Sequence, residues 1–95
     1  MPSVFRKGDF SVGHCFPSMP CQTGSPNVYV NNKEVVRVQD VYGGSHCYNS
    51  SNHAVGAAGV GSSTVFVNNL AVHRTNDAVN CGDIAGLGSP DVICG

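Results

Sequence analysis

The fold is decided by the stretch Gly24-Ser25-Pro26-Asn27-Val28-Tyr29-Val30-Asn31-Asn32, because the chain repeats it. A second copy reads Gly61-Ser62-Ser63-Thr64-Val65-Phe66-Val67-Asn68-Asn69, and a shorter third copy closes the sequence as Gly88-Ser89-Pro90-Asp91-Val92-Ile93-Cys94-Gly95. Internal repetition is the signature of a structure built from related units that pack against one another. The sequence therefore predicts three related segments.

Each of the two full copies has the pattern of a β-hairpin. The first strand is a run of β-branched and aromatic residues, Val28-Tyr29-Val30 or Val65-Phe66-Val67. The pairs Asn31-Asn32 and Asn68-Asn69 stand where a two-residue loop of type I′ needs positive φ, which asparagine tolerates better than other non-glycine residues. The predicted return strands are Glu34–Val38 and Ala71–Thr75.

The remainder of the chain shows no helical period with capping residues. Residues 54–61 are rich in small side chains but include three glycines, which disfavour a helix. The segment from His46 to Gly61 is predicted to be a long loop that only the middle segment carries. The predicted fold class is all-β, with short hairpins joined by long loops.

The composition limits how much a hydrophobic core can contribute to stability. Of the 95 residues, 41% are hydrophobic, and twelve are glycine. A chain of this size buries little apolar surface against a conformational entropy of about 1.5 kcal/mol per ordered residue. We therefore expect one domain, residues 1–95, with a metal, disulfides or a partner as an additional source of stability.

Charge and hydropathy exclude several classes of function. The formal net charge is −1 and no basic run occurs, so the footprint of nucleic-acid binding is missing. The apolar stretches are too short to span a bilayer, and residues 1–9 lack the apolar region of a signal peptide. In the cytosol, where we expect synthesis, five cysteines and four histidines favour metal binding over disulfides. The disulfide pairings left open are Cys15–Cys21 and Cys47–Cys94.

Three aspartates at matching positions are each followed closely by a metal-binding residue type. If the segments pack around a pseudo-threefold axis, the loops that follow the three aspartates meet at one end and bring three ligands together. The predicted fourth ligand is His53, in the middle loop. Three imidazoles and one thiolate suit tetrahedral zinc, and four protein ligands make a site structural rather than catalytic. The three pairs are Asp9 with His14, Asp40 with His46, and Asp77 with Cys81.

The other cysteines and the fourth histidine have alternative interpretations. Cys15 and Cys47 each follow a candidate histidine, and each is either a replacement ligand or a buried apolar residue. His73 lies in a predicted return strand and is left out of the site as a surface or hydrogen-bonded residue. Cys94 is predicted to be a core or edge residue, and Cys21 has no predicted role.

Catalytic chemistry finds little support in the sequence. No G-x-S-x-G nucleophile motif occurs, and a chain of this length has little room for a substrate cleft. The recurrence of Asp9, Asp40 and Asp77 indicates turn capping through side-chain hydrogen bonds rather than acid–base work. We therefore predict no catalytic residues.

Taken in this order, the motifs resemble the PAAR (proline-alanine-alanine-arginine) repeat proteins, which sharpen the spikes of contractile phage tails and of type VI secretion systems. The resemblance covers nearly the whole chain. It rests on Gly8-Asp9 with His14, the repeated stretches quoted above, His46-Cys47 with His53, Asn80-Cys81-Gly82, and Gly88-Ser89-Pro90.

Three features depart from the family pattern. The four-residue signature reads Glu34-Val35-Val36-Arg37 and Ala71-Val72-His73-Arg74, which keeps only the arginine. The Gly-Asp pair that follows it is replaced by Gln39-Asp40 and Asn76-Asp77. The usual Asn-Gly loop is Asn-Asn in both copies. These changes affect turn positions and leave the four predicted ligands in place.

The resemblance implies a compact cone of short β-hairpins with a pseudo-threefold repeat and zinc near its sharp end. The family's ligand pattern of three histidines and one cysteine falls on His14, His46, His53 and Cys81. The broad base is expected to sit on a trimeric β-helical spike protein, one monomer per trimer. Effector cargo is a further expected partner.

The implied function is structural, as a spike tip for membrane piercing. We expect synthesis in the bacterial cytoplasm, assembly at the tip of a phage tail or secretion spike, and delivery into the target cell envelope with transient membrane contact. Because the sequence ends at Gly95, no fused effector is expected. The alternative hypothesis is a zinc-binding adaptor that docks an effector or other partner. A spike cap should expose the apolar strands 28–30 and 65–67 to a trimer.

Overall fold

Short antiparallel hairpins make up the regular secondary structure. The computed structural model describes residues 2–12, 20–42, 57–80 and 83–95, together with the backbone of 47–48 and 51–52. Within these ranges no element is a helix, so none is long and apolar enough to cross a membrane. The all-β prediction is confirmed. The strands are β1 (Tyr29–Val30), β2 (Lys33–Glu34), β3 (Cys47–Tyr48), β4 (Ser51–Asn52), β5 (Phe66–Val67) and β6 (Leu70–Ala71), paired as β1–β2, β3–β4 and β5–β6.

The hairpin β1–β2 has the loop that the sequence predicts. Tyr29 pairs with Glu34 and Val30 with Lys33, which leaves a two-residue loop. Its residues, Asn31-Asn32, have φ of 54° and 65°. The loop of β5–β6, Asn68-Asn69, has φ of 54° and 66°. The prediction of positive φ at both asparagine pairs is confirmed, as type I′ turns require.

The return strands are shorter than predicted, and each begins one residue earlier. After Val35, which still bonds to its own hairpin, the chain bonds to other segments. The Val36 N–H donates to the Phe5 carbonyl at 3.0 Å, and the Val38 N–H donates to the Ala71 carbonyl at 2.8 Å. The same change of partner follows β6. The prediction of five-residue return strands was wrong because these residues complete hydrogen bonds between segments.

The loop predicted from His46 to Gly61 contains a hairpin. In this hairpin Cys47 pairs with Asn52 and Tyr48 pairs with Ser51. The prediction of a continuous loop was wrong here. Strands of two residues are too short for the alternation of apolar and polar side chains that identifies a half-buried strand in a sequence.

The third copy is completed by residues from the start of the sequence. The Val4 N–H donates to the Val92 carbonyl at 3.0 Å, and the Cys94 N–H donates to the Pro2 carbonyl at 3.0 Å. Ser3 and Ile93 form the bridge between these two bonds. Residues 2–4 therefore take the place that a return strand has in the two full copies.

A closed ring of backbone hydrogen bonds joins the three segments. The Phe5 N–H donates to the His73 carbonyl at 3.0 Å, the His73 N–H to the Val36 carbonyl at 2.9 Å, and the Val36 N–H to the Phe5 carbonyl at 3.0 Å. Each residue donates to one neighbour and accepts from the other, and all three are fully buried. Every amide in the ring thus has a partner away from water.

The buried apolar side chains form two clusters. Each cluster contains one free thiol, Cys21 in the first and Cys94 in the second. Because both thiols are free, neither the Cys15–Cys21 nor the Cys47–Cys94 disulfide is formed. The core position of Cys94 is confirmed. Burial raises the pKa of Cys21 to about 12, which keeps this thiol protonated and unreactive at neutral pH. The clusters consist of Phe5, Cys21, Val36, Tyr42, Ala58, Val79 and Ala85, and of Val4, Val35, Val72 and Cys94.

Candidate functional site

The predicted metal ligands His14, His46, His53 and Cys81 lie outside the described residues, so the metal site stays a prediction. The same holds for Cys15, while Cys47 is described only in its backbone. Within the described ranges no group of three or more His, Cys, Asp or Glu side chains could hold a metal ion.

The borders of the segments that carry three of these ligands are joined by hydrogen bonds. Val12 precedes the first predicted histidine, and its N–H donates to the carbonyl of Ile84, which follows the predicted cysteine, at 2.9 Å. Asn80 immediately precedes that cysteine, and Ala57 follows the third predicted histidine. The Asn80 N–H donates to the Ala57 carbonyl at 2.9 Å, and the Ala57 N–H donates to Asn80 Oδ1 at 2.9 Å. The described residues on either side of these segments therefore lie beside one another.

The three recurring aspartates cap turns, as the sequence predicts. Asp40 Oδ2 accepts from the Arg37 N–H at 2.7 Å and from Arg37 Nε at 2.9 Å, while Oδ1 accepts from Arg37 Nη2 at 2.9 Å. Burial alone would raise the pKa of Asp40, but the hydrogen bonds from Arg37 and Thr23 outweigh it and hold that pKa below its usual value. These carboxylates are structural. The equivalent pairs are Arg6 with Asp9 and Arg74 with Asp77.

One residue in each of these turns has a left-handed backbone. In the first turn it is Gly8, with φ of 92°, which glycine adopts without strain. The other two turns place Gln39 at φ of 85° and Asn76 at φ of 72°. The sequence signal for this conformation was the Gly-Asp pair of the family, which this chain keeps only once. Each of these residues donates its N–H to another part of the chain: Gly8 to Cys21, Gln39 to Ala58, and Asn76 to Ala85.

Three buried serines start the three copies, and sequence reasoning gave them no role. Ser25 Oγ accepts from the Val28 N–H at 2.9 Å and donates to Asn68 Oδ1 at 2.7 Å. The hydroxyl therefore caps its own segment and holds the hairpin loop of the next one. Ser89 and Ser62 act in the same way, on Asn31 and on the Gly95 carbonyl. The Gly-Ser pair that opens each copy was the feature of the sequence from which this capping role could have been inferred.

His73 is a core residue with both ring nitrogens occupied. Nδ1 lies 2.7 Å from the Val60 carbonyl, which can only accept, so Nδ1 carries the proton. Nε2 then accepts from the Tyr42 hydroxyl at 2.9 Å. Burial lowers the pKa of His73, and the neutral imidazole satisfies both contacts. Of the two interpretations left open for this residue, the hydrogen-bonded one is confirmed and the surface one was wrong.

An apolar depression of about 220 Å³ lies between β1–β2, β5–β6 and the paired chain ends. Its lining contains no charged side chain. Val4, Val35 and Val72 form the buried part, and Val28 and Val65 are partly exposed. The lining residues are Val4, Val28, Val30, Val35, Val65, Val67, Val72, Val92, Ile93 and Cys94.

Comparison with known protein families identifies a match. A family model described as the PAAR motif matches residues 20–86, which is more than half of the chain. The matched range includes both full copies of the repeated stretch. No match was found among curated proteins.

Proposed function

This chain belongs to the PAAR-motif family, which is associated with the spike tips of contractile injection systems, and from that premise we propose that one monomer caps a trimeric β-helical spike. In this role it sharpens the spike for membrane piercing and performs no catalysis. The observation that carries the proposal is the closed hydrogen-bond ring of Phe5, Val36 and His73. A single chain matches three identical partner surfaces only when its own segments surround a pseudo-threefold axis.

The matching turns support the same arrangement. The Arg-x-x-Asp clamp and the capping serine each occur three times, and in both full copies the chain changes hydrogen-bond partner at the same position, after Val35 and after Val72. These contacts fix the three segments relative to one another without a large core. A rigid cap of this kind transmits an axial load to all three chains beneath it.

We also propose a structural zinc ion held by His14, His46, His53 and Cys81. The bonds from Val12 to Ile84 and between Ala57 and Asn80 support it, because they join the borders of the segments that carry these ligands. The donor set of three imidazoles and one thiolate suits zinc. When bound, zinc supplies a crosslink among the segments that carry these ligands, in a chain whose size leaves little other stability.

Binding to the spike protein of the same machine tests the capping function. Mixed with that purified trimer, the chain is expected to form a complex of one monomer per trimer, read by native mass spectrometry. Absence of a complex, or three monomers per trimer, would contradict capping. Binding to a monomeric effector in place of the trimer would instead favour the zinc-binding adaptor.

Elemental analysis tests the metal site. The purified chain is expected to carry about one zinc per monomer, and the double variant His14→Ala/Cys81→Ala is expected to lose it. Cys94→Val is the matched control, because it removes a thiol outside the predicted set. Cys47→Ala distinguishes the alternative ligand. A folded wild-type chain free of zinc, or zinc retained in the double variant, would contradict the assignment.

A further inference from the structure

The first strand of each full copy has two different apolar faces. Successive side chains of a strand point to opposite sides. Val65 and Val67 line the depression, while Phe66 between them does not line it and is 58% exposed. In the first copy Val28 lines the depression in the same way, and Tyr29 is 55% exposed on the other face. The strands therefore offer a spike partner two different apolar faces.

The two faces differ in how closely the three copies agree. On the depression face, Val28, Val65 and Val92 occupy one position of the repeat, so a valine stands there in every copy. The next position along each strand is Tyr29, Phe66 or Ile93; Tyr29 and Phe66 lie outside the depression, whereas Ile93 lines it. Three identical partner chains present three identical surfaces. The valine position matches such a partner, whereas the outer face presents an aromatic side chain in only two of the three copies.

The chemistry of the depression also restricts its occupant. No charged side chain lines it. Burial of this apolar surface favours a partner that fills the space of about 220 Å³ with apolar atoms.

We propose that the trimeric spike seats apolar side chains in this depression, one set from each chain, and that the valine face rather than the outer aromatic face carries the affinity. This inference rests on the proposed capping function and specifies the contact surface and the chemistry of the spike tip. The partner contributes no charged group to the centre of the interface.

Paired substitutions on one strand test this proposal against the purified spike trimer of the same machine. Val65→Asp is expected to weaken binding by at least about 100-fold, because it places an unpaired carboxylate against apolar atoms. Phe66→Asp, at the neighbouring exposed position, is expected to change affinity by less than about 3-fold. Leu87→Asp is the control, because Leu87 is 87% exposed and outside the depression.

A second variant keeps the proposal testable if the aspartate at position 65 prevents folding. Val65→Leu retains the apolar character but fills part of the depression, and is expected to weaken binding by about 10-fold. The wild-type affinity is expected to change by less than about 3-fold between about 50 and about 500 mM NaCl.

The outcomes distinguish a failure of the capping function from a failure of the proposed contact surface. If the wild-type chain binds no trimer, capping itself fails. If the wild-type chain binds one trimer, the inference is overturned by any of three results. These are equal loss with Phe66→Asp and Val65→Asp, no loss with Val65→Leu, and a loss of about 10-fold or more at high salt.

Discussion

Replacement of Gln39 by glycine is expected to stabilise the protein. Gln39 has φ of 85°, in the left-handed region that side chains with a Cβ avoid, and its side chain is exposed. Its N–H donates to the Ala58 carbonyl at 2.9 Å, and glycine keeps this bond. The equivalent residue of the first segment, Gly8, already adopts φ of 92°. The substitution therefore removes strain and leaves the turn unchanged.

The expected gain is a difference between two effects. A non-glycine residue in the left-handed region costs about 1–2 kcal/mol. The greater freedom of glycine in the unfolded chain costs about 0.5–1 kcal/mol. The midpoints of these two ranges give an expected rise of about 0.75 kcal/mol in the free energy of unfolding. For a domain of this size about 1 kcal/mol shifts Tm by about 4–8 °C, so Tm of Gln39→Gly should rise by about 3–6 °C.

Thermal unfolding followed by calorimetry measures this shift, with zinc in the same excess for all variants. Gly8→Gln is the matched reverse variant: a Cβ added at Gly8 meets no atom within 4 Å, so only the strain of its φ is introduced. The Tm of Gly8→Gln is expected to fall by about as much as the Tm of Gln39→Gly rises. If Gln39→Gly melts at or below the wild-type Tm while Gly8→Gln is neutral, backbone strain in these turns is not the cause.

Three further predictions concern other contacts of the core. Burial lowers the pKa of His73 below 6.5, so the folded state favours the neutral ring. The contribution of this neutral ring to the free energy of unfolding is therefore complete above pH 6.5 and is lost as the pH falls below 6.5. Unfolding in urea from neutral to acidic pH should therefore show a steeper loss for the wild type than for His73→Val, and equal slopes would contradict this. Ser62→Ala leaves the Val65 N–H without its acceptor and should cost about 1–2 kcal/mol in the free energy of unfolding; an unchanged urea midpoint would refute the cap. Gly88→Ala places a Cβ 2.5 Å from the Val4 carbonyl oxygen and should destabilise by about 1–3 kcal/mol, measured in the same way; a neutral result would show that the backbone shifts freely.

Local turn chemistry made the hairpins and the aspartate caps predictable. The pair Asn31-Asn32 follows a β-branched run, and the residues that determine this hairpin lie only a few positions apart in the sequence. Asp40 could be assigned as a cap because its hydrogen bonds go to Arg37, three residues away. Repetition strengthened both inferences, since each pattern occurs more than once in the chain.

Long-range pairing could not be predicted in the same way. The bonds that replace those of the hairpin after Val35 involve Phe5 and Ala71, and nothing near Val35 in the sequence specifies these partners. The left-handed Gln39 was also unpredictable from its residue type, because the hydrogen bond to Ala58 imposes the conformation on it. The predicted ligand set lies in segments outside the described residues and stays a prediction for elemental analysis to decide.

The pairing of residues 2–4 with residues 92–94 has a consequence for biosynthesis. A ribosome releases residues 2–4 well before their hydrogen-bond partners, Val92 among them. Repeat arrays that extend in one direction can acquire stability unit by unit as they are translated. This domain cannot, because its first segment has no complete set of neighbours until residues 92–94 have left the exit tunnel. Folding of the domain is therefore expected to be a single event that follows the synthesis of residues 92–94.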